Sequence, residues 1–186
     1  MTAVLIVVIA ILAVLVLFVV ATYNGLVRTR NRIDNAQSQI EVQLKRRHDL
    51  IPNLVETVKG YAAHERQTLE EVTAARTHAI DASSGSLADQ AEAENVLTGA
   101  LKSLFAVAEA YPDLKANANF LALQEELTST EDRIAYARQF FNDAVLSYNT
   151  RIQTFPANLL AGTFGFSPCE YFDGDPGDAA PVDVRF

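Results

Sequence analysis

Residues 3–21 carry no charged side chain, no glycine and no proline, and consist mostly of Val, Ile, Leu and Ala. An α-helix rises 1.5 Å per residue, so roughly 20 such residues cover the ~30 Å hydrocarbon core of a bilayer. A run this apolar constrains the chain more than any other feature. It must leave water, either into lipid or into a core, and 186 residues provide room for one modest domain beside it. Tyr23 follows the run, where interfacial aromatics collect. A cleaved secretory signal would need a positively charged leader and a shorter apolar core, whereas only the N-terminal amine precedes this one. Arg28, Arg30 and Arg32 lie just beyond it, and the positive-inside rule then keeps the C-terminal body in the cytoplasm and the N-terminus outside. The organisation expected is an anchor over 1–22, a cytoplasmic helical domain over 23–156, and a tail over 157–186, apolar at first and then acidic.

The body reads as all-α. Stepping by seven from Leu26 gives Leu26, Ile33, Ile40, Arg47, Leu54 and Tyr61, and a second series runs Phe120, Leu127, Ile134, Phe141, Tyr148, Phe155. Between them Leu87, Ala91, Leu97, Leu101, Leu104 and Ala108 form one more stripe, interrupted by a double step between Ala91 and Leu97. Sustained period-two alternation is missing, so strands are not supported. Breaks are predicted at Gly60–Glu65, at Ser83–Ser86, at Pro112 and Asp113, and at Pro156, with Asn117 or Asn119 capping the last long helix. These divisions predict an antiparallel up-down four-helix bundle with long helices, preceded by one transmembrane helix continuous with the first of them. Pro52 lies inside that first helix and must free the carbonyl of His48, which predicts a kink rather than an end because the seven-residue register continues past it. Residues 157–166 are expected to dock on the bundle or lie at the lipid interface. From Ser167 onward five acids face Arg185 alone, which predicts an extended or disordered tail.

Net charge of −8 opposes a polyanionic partner, so nucleic acid is not expected. One cysteine, Cys169, supports neither an internal disulfide nor a thiolate zinc site. His48, His64 and His78 lack the spacing that puts two ligands on one helix face, and neighbouring acids such as Glu70 with Glu71 diverge around a helix. No metal, cofactor or catalytic constellation is expected.

The densest polar cluster is Lys45, Arg46, Arg47, His48 and Asp49. About 22 residues past the membrane boundary, it stands ~33 Å out along a straight helix, beyond lipid headgroups. Lys45, Arg46, Arg47 and His48, with Tyr111 and Pro112, are candidates for a partner surface. Arg47 replaces an apolar residue of the first series, so its stem is expected on the seam with its head reaching solvent or a Glu of another helix; the alternative is a paired charge that fixes register or meets a partner. Asn24, Asn142 and Asn149 are candidate register-setting polar residues, with Asn149 returning to the level of Asn24 if the first and last long helices are antiparallel.

The segments QLKRRHDLIPNLVETVKGYAAHE (43–65), AEAYPDLKAN (108–117) and NFLALQEEL (119–127), with the YN ahead of Phe155-Pro156, strongly resemble the LemA family. The resemblance runs over nearly the whole chain. It implies a bacterial cell-membrane protein with a single N-terminal span, an outside N-terminus and an antiparallel four-helix cytoplasmic domain. By analogy with membrane metalloprotease and envelope-stress systems it also implies an adaptor role. The function expected is a membrane-anchored, non-enzymatic interaction or scaffold protein, its partners the bilayer through residues 3–22 and a membrane or cytoplasmic protein. The alternative is a structural homo-oligomer that shapes or supports the membrane.

Overall fold

The computed structural model describes residues 1–172, and among these every regular element is helical, with no strand. The elements are α1 (Thr2–Lys59), α2 (Arg66–Ala82), α3 (Leu87–Ala108), α4 (Pro112–Lys115), α5 (Ala118–Gln153) and α6 (Asn158–Ala161). Helix α1 is unbroken from the apolar run into the amphipathic region and passes through Pro52. The window long and apolar enough to cross a membrane is 0% buried.

The helix ends have local causes. Ser86 caps α3 in a reciprocal capping box: its hydroxyl accepts from the Asp89 amide while the Asp89 carboxylate accepts from the Ser86 amide. The Asn117 side chain accepts from the amide of Phe120 at 3.0 Å at the start of α5. Pro112 behaves differently from expectation. Helix α3 already ends at Ala108, and Pro112 opens the one-turn helix α4 at a first-turn position, where its missing N–H costs no hydrogen bond.

Two compact units divide the chain. One comprises residues 1–38 and 140–170. Leu26, Ile33 and Ala36 of α1 are buried there, as are Phe141, Val145, Tyr148 and Ile152 of α5. Arg32 lies over the Phe140 ring, 5.0 Å from its centroid. The segment after Pro156 docks: Ala157 and Ala161 are buried, and Gly165, at φ 75°, turns the chain so that the Phe166 amide reaches the Ala161 carbonyl. Phe164 and Phe166 then meet Tyr23 edge-on at 5.2 and 5.7 Å.

The other unit comprises residues 39–139, with Tyr171 and Phe172 of the described tail. Its core joins Ile51, Leu54 and Val58 of α1, Leu69 and Val72 of α2, Leu97, Leu101 and Leu104 of α3, and Phe120 and Leu127 of α5. Phe172 is fully buried with the Arg138 guanidinium over its ring, 4.8 Å from the centroid. Residues 167–172 are therefore held in place rather than disordered, and the acidic remainder of the tail lies outside the described residues. Two members of the seven-residue series leave the core. Tyr61 is 44% and Phe155 78% exposed because α1 ends at Lys59 and α5 at Gln153, so each falls past the last helical turn that would carry the register.

Candidate functional site: a buried charge cluster

Arg47 is buried, and its guanidinium bridges two helices. Its Nη1 lies 3.4 Å from Oε2 of Glu94 on α3 and 3.1 Å from Oε2 of Glu131 on α5, and its Nη2 donates to the Thr98 hydroxyl at 2.6 Å. Glu94 is 1% exposed, and its second oxygen, Oε1, is 2.8 Å from Nε2 of His48. Thr98 closes the ring through the Glu94 carbonyl and Oε1 of Glu131. Burial lowers the Arg47 pKa from its ordinary value, the Glu131 and Glu94 carboxylates oppose that shift, and Arg138 adds to it.

Glu94 has both oxygens occupied and Arg47 has donors committed to three side chains. The cluster thus holds α1, α3 and α5 to one another at a single level. For Arg47 the head reaches a Glu on each of two other helices and not solvent, and the charge is paired, while a role in register or partner contact belongs to the alternative reading. Glu94 stands in the double step between Ala91 and Leu97, and Glu131 lies four residues past Leu127. An acid at a stripe position facing a base at another stripe position was the available sequence signal.

His48 has a second structural role through its backbone. Pro52 supplies no N–H to the His48 carbonyl, and Arg76 of α2 does so instead, its Nε donating at 2.7 Å. Arg76 was not singled out by sequence reasoning.

The remaining candidates separate. Lys45 is exposed and pairs with Asp49 one turn on at 2.9 Å, lowering the Asp49 pKa chiefly through that hydrogen bond. Arg46 pairs with Glu126 of α5. Arg47 and His48 are buried, with His48 at the edge of a groove also bordered by Lys45 and Asp49. Tyr111 is half-buried and donates to Glu65 at 2.8 Å, a bond that raises the phenol pKa, while Pro112 is exposed. Glu65 follows the end of α1, and Lys59 is ~21 Å along the helix from Lys45, so Tyr111 and Lys45 occupy different levels.

Among the asparagines, Asn24 is exposed and Asn142 is half-buried. Asn24 lines one groove with Arg151, two residues past Asn149. Asn149 brackets the backbone of Cys169, accepting from its amide and donating to its carbonyl, both at 2.9 Å. Tyr148 donates to the Ser167 carbonyl at 3.0 Å, and Arg30 reaches the Cys169 sulfur at 2.9 Å. The polar residues at this level fasten the tail, a role that depends on the turn at Gly165. Burial first, then Asp34, raises the Cys169 pKa against the opposing effect of Arg30.

A magnetosome protein, MamQ 2 of Paramagnetospirillum magneticum, is 28% identical over 184 residues, covering 86% of this chain and 68% of the relative. MamQ of Magnetospirillum gryphiswaldense is similar at the same identity and coverage. Protein LemA of Metamycoplasma hominis is 33% identical over 140 residues, 74% of this chain and 63% of that protein. The LemA family model matches residues 36–186, which contain the whole charge cluster and the Asn149 clasp, and the chain belongs to the LemA family.

Proposed function

We propose that the chain is a membrane-anchored, non-enzymatic interaction or scaffold protein whose α1 crosses the bilayer, with the N-terminus outside and residues 23–156 forming a cytoplasmic antiparallel four-helix bundle of α1, α2, α3 and α5. One observation carries the reading: the apolar stretch of α1 is apolar all round, yet none of it is buried. A helix of that kind is stable only inside protein or inside lipid, and its own chain does not cover it. Arg28, Arg30 and Arg32 beyond the span support the orientation. The closed charge cluster, with its carboxylate and guanidinium donors and acceptors committed to one another, supports a holding role over turnover.

Two measurements test this. An alkaline-phosphatase fusion after Phe186 is expected to be inactive, and activity there would overturn the orientation. Crosslinking in intact membranes is expected to recover a discrete protein partner. Recovery of the chain alone, with a large uniform assembly in mild detergent, would replace this reading with the membrane-shaping homo-oligomer.

A further inference from the structure

Three arginines follow the apolar run, and two are engaged within the chain. Arg30 pairs with Asp34 at 3.8 Å and reaches Cys169, and Arg32 lies over Phe140. Arg28 is exposed and has no ion pair among the described residues, and the same holds for Arg151 of α5. Both border one groove of about 570 Å³ whose other wall is Leu17, Val20 and Ala21 of the apolar run. Gly25 forms its floor. Arg151 lies so close over that residue that a Cβ there would overlap the guanidinium. Gly25 and Arg28 are three residues apart and share a helix face. Two like charges therefore border one cavity with no carboxylate between them, an arrangement that an anion relieves.

The position fits one source of that anion. With the hydrocarbon boundary at Thr22, Arg28 stands ~9 Å beyond it, and an arginine stem can reach back to the headgroup layer, which is several Å deep. The same unit exposes Tyr23, Phe155, Leu159 and Phe164, the apolar and aromatic side chains that collect at a membrane surface. We propose that Arg28 and Arg151 clamp the phosphate of an anionic glycerophospholipid, with an acyl chain lying along Leu17, Val20 and Ala21. This rests on the membrane anchoring of α1 proposed above.

The test uses the full chain in phosphatidylcholine vesicles, with spin-labelled phosphatidylglycerol compared against spin-labelled phosphatidylcholine for immobilisation by the protein. Each arginine near a bilayer surface is worth about fivefold in association, so a preference for phosphatidylglycerol between about fivefold and 30-fold is expected. Arg28→Gln with Arg151→Gln should bring it close to parity. Gly25→Ala keeps both charges but displaces Arg151, and should also weaken the preference. Arg66→Gln, at an exposed position of α2, should leave it unchanged. Equal loss in Arg66→Gln would mean a general charge effect and would overturn the clamp. So would abolition of the preference by millimolar inorganic phosphate, which would make free phosphate the occupant. Flotation with pure phosphatidylcholine vesicles separates the two readings. A chain that floats but shows no lipid preference loses the clamp and keeps the anchor, whereas one that does not float loses both.

Discussion

The bond from Arg76 to the His48 carbonyl gives a quantitative test of how this fold accommodates a proline inside its longest helix. Pro52 removes the donor that would satisfy that carbonyl, and the Arg76 Nε replaces it at 2.7 Å in a half-buried setting. A hydrogen bond from a charged donor contributes about 1.5–3 kcal/mol, and partial exposure of Arg76 moves the expectation to about 1–2 kcal/mol. Arg76→Ala should therefore lower the thermal midpoint of the full chain in mild detergent by roughly 2–8 °C, read by far-UV ellipticity. Pro52→Ala restores an N–H at position 52 and removes a residue that costs a helix interior ~3 kcal/mol relative to Ala. In that background the His48 carbonyl regains an intrahelical donor, so Arg76→Ala should cost only about 0.5 kcal/mol, the scale of a surface substitution. The cycle then gives a coupling of about 1 kcal/mol between residues on different helices. Equal losses in the two backgrounds would refute the reasoning and leave Arg76 with packing alone.

Arg47→Ala should destabilise by about 3–5 kcal/mol, because it leaves one oxygen of the buried Glu94 carboxylate without its cation; the double change to Arg47→Met with Glu94→Met should recover part of that in the same thermal assay, and failure to recover any would assign the loss to packing. Asn149→Ala removes both bonds to Cys169, so a thiol reagent should modify Cys169 several times faster than in the parent, where burial raises the thiol pKa and limits access. Unchanged modification rates would show that the tail is fastened elsewhere.

Features set by period or by backbone chemistry could be read from the sequence. Leu26, Ile33, Ile40 and Leu54 are all buried as their spacing implies, and the breaks at 60–65 and 83–86 separate the observed helices. The freed carbonyl at His48 also followed from Pro52 alone. Its donor did not, because Arg76 is 28 residues away on another helix and only tertiary packing selects it. For Arg47 the sequence signalled an exception in the stripe but not its burial, which depends on Glu94 and Glu131 arriving from two other helices at one level. Asn149 was identified as notable, but its bonds to the backbone of Cys169 were not legible, since they go to an irregular segment that no periodicity describes.

The ring formed by Arg47, Glu94, Glu131, Thr98 and His48 also bears on how such a chain can change over generations. An apolar seam tolerates drift one methyl group at a time, but loss of Arg47 leaves buried Glu94 with His48 alone, and loss of Glu94 leaves buried Arg47 with Glu131 and Thr98, so a change at position 47 or 94 costs more than one in the apolar seam. Sliding one helix past another by a turn would break the same pairings, which makes this level of the fold the one where alternative alignments are most strongly penalised.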